Sequence, residues 1–145
     1  MNAVILARAT ARTSLAIPLF VERVQAGFPS PAQDYVEQTL DLNDLCIRHP
    51  AATYFVRAEG DSMIEVGIFS GDILVVDSSL SANHGDIVIA SVNGEFTVKQ
   101  LELKPRTRLL PRNPNYRPIL LPEGCDLNLF GVVTNVIHSL RRPDR

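Results

Sequence analysis

Ile87-Val-Ile-Ala-Ser-Val92-Asn93-Gly94-Glu95-Phe-Thr-Val-Lys-Gln-Leu-Glu-Leu103 reads as two β-rich runs joined by a two-residue turn. A type I′ turn needs positive φ at both central positions, and Asn-Gly meets that need best. In the second run Thr97, Lys99, Leu101 and Leu103 point to one face, while Phe96 and Val98 point to the other. Lys99 therefore lies beside two leucines. Its amine either snorkels past them into water or is buried, and burial lowers a lysine pKa by up to about 3–5 units.

Outward from this hairpin the same pattern recurs. Tyr54-Phe-Val-Arg-Ala58 and Ile73-Leu-Val-Val-Asp77 precede it; Thr107-Arg-Leu-Leu110, Pro118-Ile-Leu-Leu121 and Leu127-Asn-Leu-Phe-Gly-Val-Val133, continuing toward Ile137, follow it. Gly-Asp recurs at 60–61, 71–72 and 85–86 as turn punctuation. From Thr53 onward the fold is predicted to be mostly β. Ser30 to Pro50 reads instead as helical. Ser30 is an N-cap, Pro31 the first helical position and Gln33 the partner in a capping box. Tyr35, Val36, Thr39 and Leu40 then share a helical face. A second short turn starts at Asp41, carries Leu42, Leu45 and Cys46, and must stop before Pro50. Met1 to about Pro29 has no sustained period. It reads as a flexible arm, 1–29, ahead of a β domain, 30–145, and its apolar patch Ile17-Pro-Leu-Phe-Val21 is suited to docking.

The chain of 145 residues is 46% hydrophobic and 21% charged, the make-up of one ordinary globular domain. A net charge of −2 gives no field for general nucleic-acid binding. The basic Arg141–Arg145 tail reads as solvated. Cys46 and Cys125 form neither a metal motif nor a redox pair, and suit a reducing cytosol. Arg8 and Arg12 interrupt Ala3-Val-Ile-Leu-Ala7 too early for a signal core or membrane span. A soluble, cytoplasmic protein is predicted.

Gly60-Asp61-Ser62-Met63 carries the candidate chemistry. On that turn alone Ser62 is simplest as a cap, with Glu65 completing an S-x-x-E box before a turn that Gly67 ends. Lys99 adds a second reading. A neutral amine buried near Ser62 would accept its proton, a task worth about 10²–10⁴ in rate. Backbone N–H groups beside Ser62 suit an oxyanion. His49, His84 and His138 have no partner at an informative spacing and read as surface or capping residues. Val24-Gln25-Ala26-Gly27 is expected to be extended and accessible, with a small residue before the Ala26–Gly27 bond, as a self-cut site must be; a plain hinge at Gly27 is the alternative. The ~28 residues from Ala26 to Tyr54 span up to ~90 Å, so reach does not separate cutting in cis from cutting in trans.

With these residues in view, the chain resembles the LexA/UmuD family of self-cleaving SOS-response serine peptidases from about Phe20 to Ile137. The likeness runs through Gly27-Phe-Pro-Ser-Pro31, Asp34-Tyr-Val-Glu-Gln38, Gly60-Asp-Ser-Met-Ile64, His84-Gly-Asp-Ile-Val-Ile-Ala90, Gly94-Glu-Phe-Thr-Val-Lys99 and Phe130-Gly-Val-Val133. The resemblance implies a mostly-β peptidase domain that forms a homodimer, needing no cofactor or metal. It makes Ser62 the nucleophile, Lys99 the general base, and the backbone N–H groups of Asp61 and Ser62 the oxyanion hole. It implies cutting before Gly27, stimulated by RecA filaments on single-stranded DNA. It also implies that the trimmed dimer joins UmuC, the catalytic subunit of translesion DNA polymerase V. An arm of about 26 residues before the cut leaves no room for a helix-turn-helix domain, so repressor function is not expected. Met1 to about Ala16 and Arg141–Arg145 match nothing in the family pattern. Two other classes fit the residues less well: a non-catalytic interaction module with Ser62 as a cap, and a signal-peptidase-like enzyme, which the missing anchor opposes.

Overall fold

A computed structural model describes residues 2–8, 17–20, 36–121 and 127–141. Ala26, Gly27, Cys125 and the expected cap Ser30-Pro31 with Gln33 lie outside them.

The opening hairpin forms as its turn chemistry dictates. Strands β6 (Ile87–Val92) and β7 (Glu95–Glu102) pair antiparallel, with Val92 opposite Glu95. Asn93 and Gly94 between them have φ of 51° and 83°. Six further strands join the same sheet: β1 (Asn2–Arg8), β4 (Thr53–Glu59), β5 (Ile73–Asp77), β8 (Arg108–Leu110), β9 (Ile119–Leu120) and β10 (Leu127–Ile137). Their order is β1-β4-β5-β10-β6-β7-β8-β9, and Asn2 of β1 also pairs with Thr97 of β7. That last pairing closes a six-stranded antiparallel ring, from which β8 and β9 extend.

Strand β10 turns the corner of this ring. Its first half pairs with β6 and its second with β5, with register shifts at Leu129/Gly131 and Val133/Asn135. Bulges of this kind bend a strand and raise its twist, which closure requires. Gly131 fits the bend because a Cβ there would lie 2.7 Å from Val76 Cγ1 and 3.0 Å from the Asp77 carbonyl oxygen.

Two apolar clusters fill the sheet's faces. Val56, Ala58, Met63, Ile68, Leu74, Val76, Ile89 and Val98 form one. Val88, Ala90, Leu101, Leu109 and Val132 form the other. Phe130 stacks edge-on against Tyr54 and Phe96, at 4.9 and 5.7 Å between ring centres.

Two segments differ from the sequence expectation. Residues 36–40, expected on a helix, form strand β3 (Val36–Leu40), paired with β2 (Ile17–Phe20) in a separate two-stranded sheet. Val36 and Thr39 are β-branched, and an available partner strand outweighs a local capping signal. Likewise Asn2–Arg8, read as lacking a regular element, adds a strand along β4, with Ile5 opposite Val56. The short turn after Asp41 forms as expected. It is helix α1 (Leu42–Cys46), and the Asp41 carboxylate accepts from the Asn43 N–H at 2.9 Å. No helix among the described residues is long and apolar enough to cross a membrane.

Candidate active site

Strand β4 ends at Glu59, and Gly60, at φ 94°, reverses the chain into Asp61-Ser62-Met63. A side chain would strain that conformation, which explains the glycine. Met63 drops fully into the first core cluster, so the residue beside Ser62 is anchored by burial. A single 3₁₀ turn (Ile64–Val66) follows and ends at Gly67 in the left-handed region, φ 81°. The turn and its stop match the sequence reading, but the expected Ser62–Glu65 capping box does not form. Met63 is the cap position and no side chain caps it. The Glu65 N–H instead donates to the Arg112 carbonyl at 2.9 Å.

Lys99 arrives from the middle of β7, opposite Val88 and one strand step from the buried Leu101. Ser62 is 0% and Lys99 5% exposed. Their side chains meet: Lys99 Nζ lies 3.2 Å from Ser62 Oγ, 2.8 Å from Thr97 Oγ1 and 3.1 Å from the Val98 carbonyl oxygen. Burial among apolar neighbours pushes the Lys99 amine below its ordinary value of 10.5. The snorkelling alternative is thereby set aside.

A family model described as Peptidase S24-like matches residues 18–134. The chain belongs to this family. SamA of Salmonella typhimurium is 62% identical over 127 residues, covering 88% of this chain and 89% of the relative. ImpA of Escherichia coli is 57% identical over 126 residues, covering 86% and 85%. MucA of Escherichia coli is 50% identical over 125 residues, covering 86% and 84%. The Peptidase S24-like assignment agrees with the LexA/UmuD resemblance and makes the chain one of the self-cleaving SOS-response peptidases.

Other residues of this S24 domain stand apart from the Ser62–Lys99 pair. His49 Nδ1 lies 2.6 Å from Asp77 Oδ2, and His138 Nδ1 2.5 Å from Asp72 Oδ1. Both histidines thus have acidic partners that sequence spacing did not suggest, because 28 and 66 positions separate the pairs. His84 behaves as a cap, its Nδ1 accepting the Leu103 N–H at 2.9 Å. Cys46 is a free thiol, partly buried. No cluster of three or more His, Cys, Asp or Glu among the described residues is arranged to hold a metal ion.

The sequence reading missed the segment behind the 61–65 turn. Arg112 N–H donates to the Ser62 carbonyl at 2.7 Å, and Asn113 Nδ2 to the Asp61 carbonyl at 2.8 Å. Asn113-Pro-Asn115 reads as a turn in sequence, but nothing local tells which turn it faces.

Proposed function

We propose that the chain is a serine endopeptidase that cuts its own Ala26–Gly27 bond with a Ser62/Lys99 dyad. The observation that carries this reading is the buried 3.2 Å contact between Lys99 Nζ and Ser62 Oγ. A neutral amine has two N–H bonds and one lone pair. The N–H bonds suit Thr97 Oγ1 and the Val98 carbonyl, which leaves the lone pair for the Ser62 hydroxyl.

The chemistry then runs in two halves. Lys99 takes the Ser62 proton as Oγ bonds to the Ala26 carbonyl carbon, and the oxyanion is met by the backbone N–H groups of Asp61 and Ser62. The Lys99 ammonium returns a proton to the Gly27 nitrogen, the C–N bond breaks, and Ala26 remains as an ester on Ser62. Water, deprotonated by Lys99, hydrolyses that ester and regenerates both residues.

Family membership supports the rest of the assignment. Residues 1–29 form the arm that is cut, and 30–145 the peptidase domain, in a cytoplasmic homodimer. RecA filaments on single-stranded DNA stimulate the cut. The trimmed dimer then serves UmuC as the accessory subunit of translesion DNA polymerase V.

The test is intact-mass spectrometry after incubation at alkaline pH, and separately with RecA filaments, for wild type and Ser62→Ala. A fragment beginning at Gly27 in wild type alone is expected. Normal cutting by Ser62→Ala overturns the dyad, and no cutting by either protein favours an interaction module.

A further inference from the structure

Asn113 is a polar side chain at 4% exposure, and such a group is kept only with its hydrogen bonds satisfied. Its Nδ2 donates to the Asp61 carbonyl at 2.8 Å, and its Oδ1 accepts the Asn115 N–H at 3.0 Å. Around it, residues 112–116 grip the 61–65 turn. Arg112 N–H donates to the Ser62 carbonyl, Glu65 N–H donates to the Arg112 carbonyl, and the Tyr116 hydroxyl donates to Asp61 Oδ1.

Peptide planarity gives this grip a chemical meaning. The Asp61 carbonyl and the Ser62 N–H belong to one planar trans unit and point in opposite directions. Whatever fixes the carbonyl therefore aims the N–H. We propose that Asn113 is a positioning residue: by holding the Asp61 carbonyl, its amide aims the Ser62 N–H at the oxyanion formed when Ser62 attacks. The proposal rests on the Ser62 nucleophile reading. Tyr116 contributes from the Asp61 side chain. Its hydrogen bond to that carboxylate raises the phenol above its ordinary 10.0.

Asn113→Asp separates positioning from structure. An aspartate keeps an oxygen for the Asn115 N–H, and with it the local turn. It loses the donor to Asp61 and sets a negative charge against that carbonyl. Self-cleavage of the full chain is followed by intact mass across an alkaline pH series for wild type, Asn113→Asp and Asn113→Ala. The plateau rate is expected to fall about 10- to 100-fold in both variants, less than the ~10²–10³ of deleting an oxyanion donor outright. The pH midpoint of Asn113→Ala should stay at the wild-type value, because Lys99 is untouched; Asn113→Asp should melt lower than wild type, since it buries a charge, yet remain folded at the assay temperature.

Asn113→Asp cutting at the wild-type rate overturns the proposal, as does a moved midpoint in Asn113→Ala with the plateau intact. Loss of folding in Asn113→Asp overturns it too, since the contact would then serve stability. If Asn113→Ala alone fails to fold, Asn113→Asp decides. Absence of cutting in wild type at every pH removes the peptidase reading and this one together. A cutting wild type with an unaffected Asn113→Asp removes this one alone.

Discussion

Burial of Lys99 ties its proton to folding. Its pKa lies below 10.5 in the folded chain and at the ordinary value when unfolded. Between those two values the unfolded chain holds a proton that the folded chain lacks, so stability rises with pH across that window. Below the folded pKa the cost of burying an ammonium is present in full. Lys99→Met should therefore melt higher than wild type near neutral pH and lose the alkaline gain, which thermal scans in the two ranges measure. Lys99→Ala and Ser62→Ala should both stop cutting while the protein stays folded and keeps the wild-type elution volume, as intact mass and size-exclusion chromatography report. Thr97→Val removes one acceptor of the Lys99 amine. A lost hydrogen bond of ~1 kcal/mol corresponds to about a five-fold slower cut. The Ser62–Lys99 contact was legible in sequence because a serine on a Gly turn and a lysine on an apolar strand are both unusual placements. The Asn113–Asp61 hydrogen bond was not legible, because 52 positions separate its partners.

Elements with a clear local signal were read correctly even where their partners are distant, as β5 and β10 show, and β1 and β3, without such a signal, were not. Asn93-Gly94 specifies its own turn, and α1 carries its own Asp41 cap. Strand β3 was misread because Tyr35, Val36, Thr39 and Leu40 also fit a helical spacing, whereas the pairing with β2 lies across some twenty residues of chain. Strand β1 left no periodic trace because its support comes from the free edge of β4. Two glycines test these accounts. Gly94→Ala forces a side chain into positive φ and should cost about 1 kcal/mol. Gly131→Ala sets a Cβ 2.7 Å from Val76 Cγ1 and against the Asp77 carbonyl. It should cost more, about 1–3 kcal/mol. Chemical denaturation of both variants gives the comparison, and equal losses would remove Gly131 as the corner of the ring.

At the scale of the whole molecule, the Asp77 carboxylate should help to shape acid stability. Burial alone would raise the Asp77 pKa, but hydrogen bonds from Ser79 and His49 outweigh it and hold the group below 3.8. Its contribution is then present above 3.8 and lost as pH falls through the lower folded value. Asp77→Asn should be less stable at neutral pH and show a flatter acid limb in melts taken from neutral to strongly acidic pH. Ring closure has a different consequence. Strand β1 completes the ring at Asn2 and Thr97, and it belongs to the part of the chain ahead of the proposed cut. Hydrolysis at Ala26–Gly27 would leave that strand clipped along β4, held by hydrogen bonds instead of by the chain. A nicked molecule of this kind weighs two fragments under denaturing conditions and one particle under native ones. Cutting and letting go become separate events, and the lifetime of the clipped strand, not the speed of hydrolysis, would time the signal.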